Sequence, residues 1–179
     1  MRRFAQGDAA AFETLYRRHE MGVWRFIHRS VASRAIADEL MQEVWFAVVQ
    51  AAPRYQPSAR FTTWLYTLAR HRVIDAHRRA RPQHSLDAPD ADGTPLVERL
   101  AADGAEEPPQ QRARDEQSAA LLRALAGLPP EQREAFLLQA EGGLGVEAIA
   151  AATGVGFETA KSRLRYARAR LQQALREHA

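Results

Sequence analysis

The sequence contains no cysteine. Disulfide scaffolds, thiolate zinc sites and cysteine nucleophiles are therefore excluded, and the composition fits a reducing cytosol. No stretch approaches the ~20 consecutive apolar residues that a membrane-spanning helix needs. The N-terminal stretch MRRFAQGDAAAF is too polar for the apolar core of a signal peptide. We therefore expect a soluble, cytoplasmic protein.

The common sequence motifs of catalysis are also missing. There is no P-loop, no glycine-rich dinucleotide fingerprint and no nucleophile elbow. The stretch RRHEMGVW has a His-Glu pair but lacks the second histidine of a zinc protease. His71 and Asp75 lie four residues apart and could pair, which is more often a surface contact than half of a metal site. We expect no catalysis, no metal and no cofactor.

Charge is unevenly distributed, although the net charge of the 179 residues is only +3. Residues 1–81 have a net charge of +7, residues 82–120 of −6 and residues 121–179 of +2. Two basic blocks flank an acidic one, which suggests a polyanionic partner. A solvated surface on an arginine-rich protein explains the charge pattern equally well.

The first basic block is predicted to be helical. Asp8 is a candidate N-cap, and apolar residues then recur at helical spacing as far as Ile27. Ser33 can cap a second helix, which Pro53 ends. The predicted inner stripe of this second helix is Ile36, Leu40, Val44 and Ala47. The loop PRYQPSAR separates it from a third helix, whose predicted stripe is Leu65, Leu68, Ala69, Val73 and Ala76.

The segment 82–114 has a different composition. It is rich in Pro, Asp, Gly and Ala and has no sustained apolar period, so we interpret it as a flexible acidic linker in which LVERL could form one helical turn. Helical patterns return after it, with Gly127 ending one helix and Pro130 in the first turn of the next. The predicted fold is all-α, with two small helical domains, 1–81 and 115–179, joined by the linker.

A helix-turn-helix is predicted in VEAIAAATGVGFETAKSRLRYARARL. Ala150 is small enough for a close helix crossing, and Gly154 stands where a tight turn needs positive φ. The second helix would begin near Phe157, with Ala160 and Leu164 facing inward. The outer face of this second helix would carry cationic residues, among them Lys161 and Arg165. An ordinary helical hairpin with a basic surface is the alternative, which the density of cations in the second helix disfavours.

The stretch FTTWLYTLARHRVIDAHRR, residues 61–79, begins with aromatic residues and ends with arginines. This mixture suits a helix that is half core and half nucleic-acid surface. We expect Phe61 and Trp64 to pack mainly in the core, while the placement of Tyr66 stays open.

The chain resembles the extracytoplasmic-function (ECF) group of bacterial sigma factors. The resemblance rests on GDAAAFETLYRRH, ADELMQEVWFAVV, the 61–79 stretch, LAGLPPEQREAFLL and the helix-turn-helix stretch, in the order of the family. It implies an alternative sigma factor. Its partners would be core RNA polymerase and promoter DNA, melted at the −10 element and duplex at the −35 element. An anti-sigma protein or another regulator is a further candidate partner.

The resemblance assigns functions to three sets of residues. Residues 1–81 would be sigma domain two, whose implied −10 contacts are Tyr55, Gln56, Ser58, Trp64, Arg70, Arg72, Arg78 and Arg79. Its implied polymerase-binding residues are Asp38, Glu39, Gln42 and Glu43. Residues 115–179 would be sigma domain four, whose implied −35 contacts are Thr159, Lys161, Ser162, Arg163, Arg165, Tyr166 and Arg168.

Two other classes of function remain open. A stand-alone helix-turn-helix regulator would bind duplex DNA without polymerase and use residues 1–81 as a sensor or dimerisation domain. An interaction protein such as an anti-activator would bind other proteins through its helices, which the aromatic and arginine-rich helix disfavours. Regulation by an anti-sigma partner and regulation by phosphorylation are both left open.

Overall fold

The computed structural model describes the backbone of residues 1–80 and 109–176 and the side chains of residues 1–80 and 118–176. The helices are α1 Arg2–Ala5, α2 Ala9–His28, α3 Arg34–Ala51, a 3-10 turn Ala52–Arg54, α4 Phe61–Ala80, α5 Pro109–Ala126, α6 Pro130–Ala140, α7 Val146–Thr153 and α8 Phe157–Arg176. These described ranges contain no strand, and the all-α prediction is confirmed. No helix within them is long and apolar enough to cross a membrane. LVERL and most of the predicted linker lie outside the described residues.

Two polar side chains cap α2 and α3 as the sequence predicts. The Asp8 carboxylate accepts a hydrogen bond from the Ala11 amide at 3.1 Å, and the Ser33 hydroxyl oxygen accepts one from the Ile36 amide at 3.3 Å. Each bond satisfies one of the amides that the first turn of a helix leaves unpaired, a contribution of about 1 kcal/mol. These caps fix where both helices begin.

The first of two compact units contains residues 1–80 and 137–157 within the described ranges. Helices α2, α3 and α4 pack against one another, and α4 also contacts α7. The fully buried side chains of this unit include Val23, Phe26, Ile27, Leu40, Val44, Val48, Leu65, Tyr66, Leu137, Leu138 and Ile149. The first unit thus combines the three predicted N-terminal helices with a segment from beyond the linker.

The inner stripe of α3 differs from the predicted one. Leu40 and Val44 are buried as predicted, but Ile36 is exposed and Ala47 is only half-buried. The buried residues of α3 are Ala37, Leu40, Met41, Val44, Trp45 and Val48. The observed stripe is wider than one residue per turn because α2 and α4 both pack on α3.

The second compact unit contains residues 109–136 and 158–176 of the described chain. Its core joins Leu125, near the end of α5, and Leu128, in the turn after it, to Ala167 and Leu171 on α8. Helix α5 begins at Pro109, six residues before the predicted start of the second domain. The limits 1–81, 82–114 and 115–179 stay a prediction, since the two units are defined by contacts and divide the chain differently.

Gly154 joins α7 to α8 in the left-handed conformation, with φ +69° and ψ 29°. This confirms the positive φ predicted for the turn. The amide of the next residue, Val155, donates to the Ala150 carbonyl at 3.1 Å and closes the last turn of α7. An L side chain at this φ costs about 1–2 kcal/mol.

We expect Gly154→Ala to lower the free energy of unfolding by about 1 kcal/mol or more, because alanine must adopt the left-handed conformation. Urea-induced unfolding measures the change. Gly156→Ala is the matched control, because no positive φ is present there and an added Cβ meets no atom within 4 Å. Equal losses in both variants would contradict the strain argument.

Candidate nucleic-acid and polymerase interfaces

Three aromatic side chains form a cluster where the loop after α3 meets the start of α4. The Tyr55 ring lies edge-on to the Trp64 ring, with centroids 5.2 Å apart and an angle of 69°. The Phe61 and Trp64 centroids are 5.8 Å apart. All three side chains are half-buried, so Phe61 and Trp64 do not pack mainly in the core as predicted. Tyr66 is the core aromatic of α4 and is only 1% exposed.

An open cleft of about 660 Å³ lies beside this cluster. It is lined by Ala47, Gln50, Ala51, Arg54, Tyr55, Gln56, Ser58, Trp64 and Leu68. Its volume is within the range of small-ligand sites, about 300–1,000 Å³. The walls combine an aromatic face with amide, hydroxyl and guanidinium groups. The cleft thus brings together Tyr55, Gln56, Ser58 and Trp64, the four non-arginine residues of the predicted −10 set.

The predicted arginines of α4 follow this cleft along the helix. Arg70 and Arg72 are half-buried, whereas Arg78 and Arg79 are exposed. The Glu43 carboxylate on α3 lies 3.6 Å from Arg72 Nε and 3.7 Å from an Arg79 terminal nitrogen. One predicted polymerase residue therefore holds two predicted DNA residues, an arrangement that sequence spacing does not show.

The outer face of α3 presents the other predicted polymerase residues. Asp38, Glu39 and Gln42 are exposed. The Asp38 carboxylate accepts a hydrogen bond from the Trp24 indole at 2.8 Å and lies 3.8 Å from Arg34. Asp38 therefore also joins α2 to α3.

The same face of α3 carries an apolar component that the sequence analysis missed. Phe46 is 63% exposed and Val49 is 41% exposed. Phe46 follows Gln42 by one helical turn and extends the predicted polar surface. The run VWFAVV contains more apolar residues than one helix face can bury, and this signal could have identified Phe46.

Helix α8 separates a buried stripe from a basic surface. Ala160, Leu164, Ala167 and Leu171 are buried and recur at helical spacing. Of the seven predicted −35 residues, Thr159, Lys161, Arg165, Tyr166 and Arg168 are exposed, and Ser162 and Arg163 are half-buried.

Three local contacts order the outer face of α8. The Lys161 ammonium lies 3.6 Å from the Glu158 carboxylate, and the Arg165 guanidinium lies 4.8 Å from the centroid of the Tyr166 ring. The Ser162 hydroxyl donates to the Glu158 carbonyl at 2.6 Å. This basic face can approach duplex DNA as one surface, because residues three and four apart share a side of a helix.

Two family models match the chain, and each covers one of these surfaces. The model for sigma-70 region 2 matches residues 15–83, which include the cleft, α3 and α4. The model for sigma-70 region 4 matches residues 118–171, which include the helix-turn-helix. Together the two matches cover more than half of the chain.

Curated relatives resemble the chain along nearly its whole length. The RNA polymerase sigma factor CarQ of Myxococcus xanthus is 33% identical over 177 residues, covering 99% of this chain and 96% of CarQ. The ECF sigma factor SigL of Mycobacterium tuberculosis is 32% identical over 179 residues, covering 97% of this chain and 93% of SigL. The chain belongs to the ECF RNA polymerase sigma factors. Its function is that of an alternative sigma factor, which directs transcription initiation with RNA polymerase.

A solved structure agrees with this sigma-factor fold. The sigma factor RpoE, crystallised with the anti-sigma factor NepR from Bartonella quintana, superposes with a TM-score of 0.65 at 20% identity, covering 93% of this chain and 97% of RpoE. At this identity the likeness shows the fold. The predicted roles of individual residues in the sigma factor stay predictions.

Trp24 stacks on His28 beside Asp38 in this sigma factor, with ring centroids 4.5 Å apart and an angle of 10°. Burial lowers the pKa of His28, and the positive charges of Arg29 and Arg34 lower it further. The unfolded chain therefore takes up a proton at His28, near pH 6.5, before the folded chain does.

We expect the free energy of unfolding to decrease as the pH falls from 7 to 5, in part because of His28. His28→Gln should make this decrease smaller while leaving the pH dependence between 7.5 and 8.5 unchanged. Urea-induced unfolding at each pH measures both slopes. An unchanged slope between pH 7 and 5 in the variant would contradict a contribution from His28.

Proposed function

We propose that this sigma factor holds a melted base of the −10 element in the cleft between Tyr55 and Trp64, contacts the −35 duplex with α8 and binds core polymerase with α3. The cleft is the observation that carries the proposal. It joins a space large enough for a base, an aromatic wall and hydrogen-bonding side chains at the start of an arginine-bearing helix.

A base removed from its stack needs both a surface for its ring and partners for its polar edge. The Trp64 indole offers the ring surface, an interaction worth about 1–3 kcal/mol per base in single-strand binding proteins. Gln56 and Ser58 are exposed at the same cleft and can donate and accept hydrogen bonds. The cleft therefore supports capture of a single base with some selectivity.

Arginines divide into two groups in this proposal. Arg78 and Arg79 are exposed near the end of α4 and supply phosphate contacts. Arg72 is half-buried against Glu43 and mainly sets the position of α4 on α3. Arg70 is half-buried on α4 as well. The phosphate contacts of Arg78 and Arg79 would contribute less to DNA affinity as the salt concentration rises, because binding releases cations condensed on the DNA.

The domain order and the cellular setting follow from the same assignment. Residues 1–81 correspond to sigma domain two, 82–114 to a linker and 115–179 to sigma domain four. The protein acts in the cytoplasm, where polymerase and chromosome meet, and polymerase supplies the chemistry. RpoE was solved with an anti-sigma factor, and we keep an anti-sigma protein as a candidate regulator of this chain.

We expect Glu39→Arg combined with Gln42→Arg to weaken binding to purified core polymerase by about tenfold or more, which corresponds to ~1.4 kcal/mol. Both residues are exposed on α3, and their change leaves the internal hydrogen bond of Asp38 intact. Fluorescence anisotropy of labelled protein titrated with core polymerase measures the affinity.

The control is Glu147→Arg combined with Gln172→Arg, which makes the same changes at exposed positions of α7 and α8. Unaltered affinity in the α3 variant would remove α3 from the polymerase interface. If the wild-type protein bound duplex DNA tightly alone and formed no complex with core polymerase, the data would favour a stand-alone regulator.

A further inference from the structure

Arg54 lines the cleft, yet it belongs to none of the predicted sets of contact residues. Among the described residues that line this cleft, Arg54 is the only charged one, and its side chain is exposed. The polar groups around it are neutral amides and hydroxyls, from Gln50, Tyr55, Gln56 and Ser58. The cleft therefore offers one full positive charge, with no carboxylate among these lining residues to neutralise it.

The backbone at Arg54 is held by the short 3-10 turn Ala52–Arg54, which continues directly from α3. Pro53 fixes its own φ angle within this turn, and the Tyr55 amide donates to the Ala52 carbonyl at 3.2 Å. Ala52 is buried and anchors the turn in the core. Arg54 and Tyr55 are thus consecutive residues of a well-anchored segment, and both line the cleft.

Helix α1 packs against the same turn. The ring of Phe4 in α1 lies 5.0 Å from the ring of Phe12 in α2, which meets the Trp45 ring of α3 edge-on at 5.9 Å. Trp45 is buried, so these rings connect α1 to the core. Residues 1–14 precede the region 2 match at residues 15–83. A segment outside that match therefore helps to hold the turn that carries Arg54.

The four α4 arginines assigned to DNA do not line the cleft. Arg78 follows Trp64 by 14 residues of α4, or ~21 Å at ~1.5 Å per residue. Arg70 and Arg72 lie ~9 and ~12 Å from Trp64 along the helix axis. Arg54 shares the cleft with Trp64. It is therefore the cation that the structure places where a base would stack.

The volume and the charge of the cleft match a whole nucleotide better than a base alone. Its volume of about 660 Å³ exceeds what a flat base needs and leaves room for sugar and phosphate. A nucleotide within a DNA strand carries one full negative charge, on its phosphate, whereas the edge of its base is neutral. The neutral amides and hydroxyls of the cleft can pair with the base edge. The guanidinium is then left for the phosphate, which it can bind through two parallel hydrogen bonds.

We propose that Arg54 forms a phosphate site in the cleft, which holds the backbone of the captured nucleotide while Trp64 and the neutral side chains hold its base. This inference rests on the proposed function. Phosphate contacts position a nucleic acid without reading its sequence. Arg54 should therefore raise the affinity for the melted strand by the same factor whichever base occupies the cleft.

The test measures binding of the complete complex of sigma factor and core polymerase to a fluorescent single strand. This strand carries the non-template sequence of the −10 element from a promoter that the complex transcribes. Replacing each nucleotide in turn by an abasic one locates the captured base, as the position at which the wild-type affinity falls most. A second strand keeps that base and carries neutral methylphosphonate linkages on both sides of its nucleotide.

We expect Arg54→Ala to weaken binding to the unmodified strand about tenfold, the scale of a hydrogen bond to a charged group. On the methylphosphonate strand this variant and the wild type should bind equally, because the charge that Arg54 contacts is gone. On the abasic strand Arg54→Ala should lose its full factor, whereas the loss in Trp64→Ala should disappear. Arg54→Ala should also reduce the slope of log affinity against log salt by about 0.7, and Arg54→Lys, which keeps the charge, should restore it.

The matched control is Arg60→Ala, which removes an exposed cation just before α4 at a position that does not line the cleft. Its affinities for the unmodified and methylphosphonate strands should keep the wild-type ratio. Urea-induced unfolding should give Arg54→Ala and Arg60→Ala the same stability, since both side chains are exposed.

The outcomes separate this inference from the proposed function. A loss in Arg54→Ala that persists on the methylphosphonate strand, or that disappears on the abasic strand, overturns the phosphate site. If no abasic position lowered the wild-type affinity and Trp64→Ala bound normally, base capture in the cleft would be wrong. A methylphosphonate scan that still coupled one linkage to Arg54 would then keep the phosphate site, and a scan without such coupling would overturn it as well.

Discussion

Replacing Trp64 by alanine is expected to reduce initiation from a duplex promoter by about 5- to 100-fold. The indole forms one wall of the cleft and offers a ring surface to a melted base. Loss of one base–aromatic stack costs about 1–3 kcal/mol, which gives a change of this size. Affinity for core polymerase should stay at the wild-type value, because the proposed polymerase surface is on α3.

The template distinguishes base capture from a general defect. On a promoter whose −10 element is held open by mismatches, polymerase need not melt the duplex, so the deficit of Trp64→Ala should shrink. Trp64→Phe should retain most activity, because it keeps an aromatic face. Single-round transcription on the duplex and mismatched templates, at equal holoenzyme concentration, measures both effects.

Phe61→Ala is the matched control for packing. Phe61 belongs to the same half-buried aromatic cluster, yet it does not line the cleft. Both alanine variants should lose similar stability in urea, whereas only Trp64→Ala should lose initiation on the duplex template. Equal transcription defects in the two variants would mean that the cluster acts through stability alone.

The limits of α2, α3 and the helix-turn-helix could be predicted because their signals are local. Asp8 and Ser33 bond amides three residues away, and Gly154 adopts positive φ within a single turn. Such signals depend on a few neighbouring residues and not on contacts with distant parts of the chain. The same locality explains why α8 has its predicted inner face at Ala160 and Leu164.

The burial of Tyr66 could not be predicted because its partners are distant in sequence. Its hydroxyl bonds the carbonyl of Glu141, 75 residues away. Phe61 and Trp64 were the predicted core aromatics, but the start of α4 borders a cleft that the end of α3 and the following loop form with it. Aromatic side chains spaced along one helix do not show which of them meets another element.

The pairing of Glu43 with Arg72 and Arg79 shows a second limit of sequence reasoning. Resemblance assigns Glu43 to polymerase and both arginines to DNA, yet the three charges lie together between α3 and α4. A substitution at Glu43 would thus affect both proposed interfaces, so Glu39 and Gln42 are the cleaner positions for testing α3.

Replacing Lys161 and Arg165 together by alanine is expected to reduce initiation by about 10- to 100-fold or more on promoters with an intact −35 element. Both side chains are exposed on the basic face of α8. A good contact between a cation and a base edge contributes about 1–3 kcal/mol of discrimination. The free energy of unfolding should change by less than ~0.5 kcal/mol, because neither side chain is in the core.

A scrambled −35 element identifies the sequence-specific part of this loss. On that template the wild-type protein has no correct base edges to contact, so the wild type and the variant should initiate at nearly equal rates. Arg176→Ala, at the exposed far end of α8, is the control for removing a cation and should show the wild-type preference for the intact element. If Lys161→Ala with Arg165→Ala lost the same factor on both templates, the two side chains would act only as phosphate contacts, and recognition of the −35 sequence would have to lie elsewhere on α8, at Thr159, Ser162 or Tyr166.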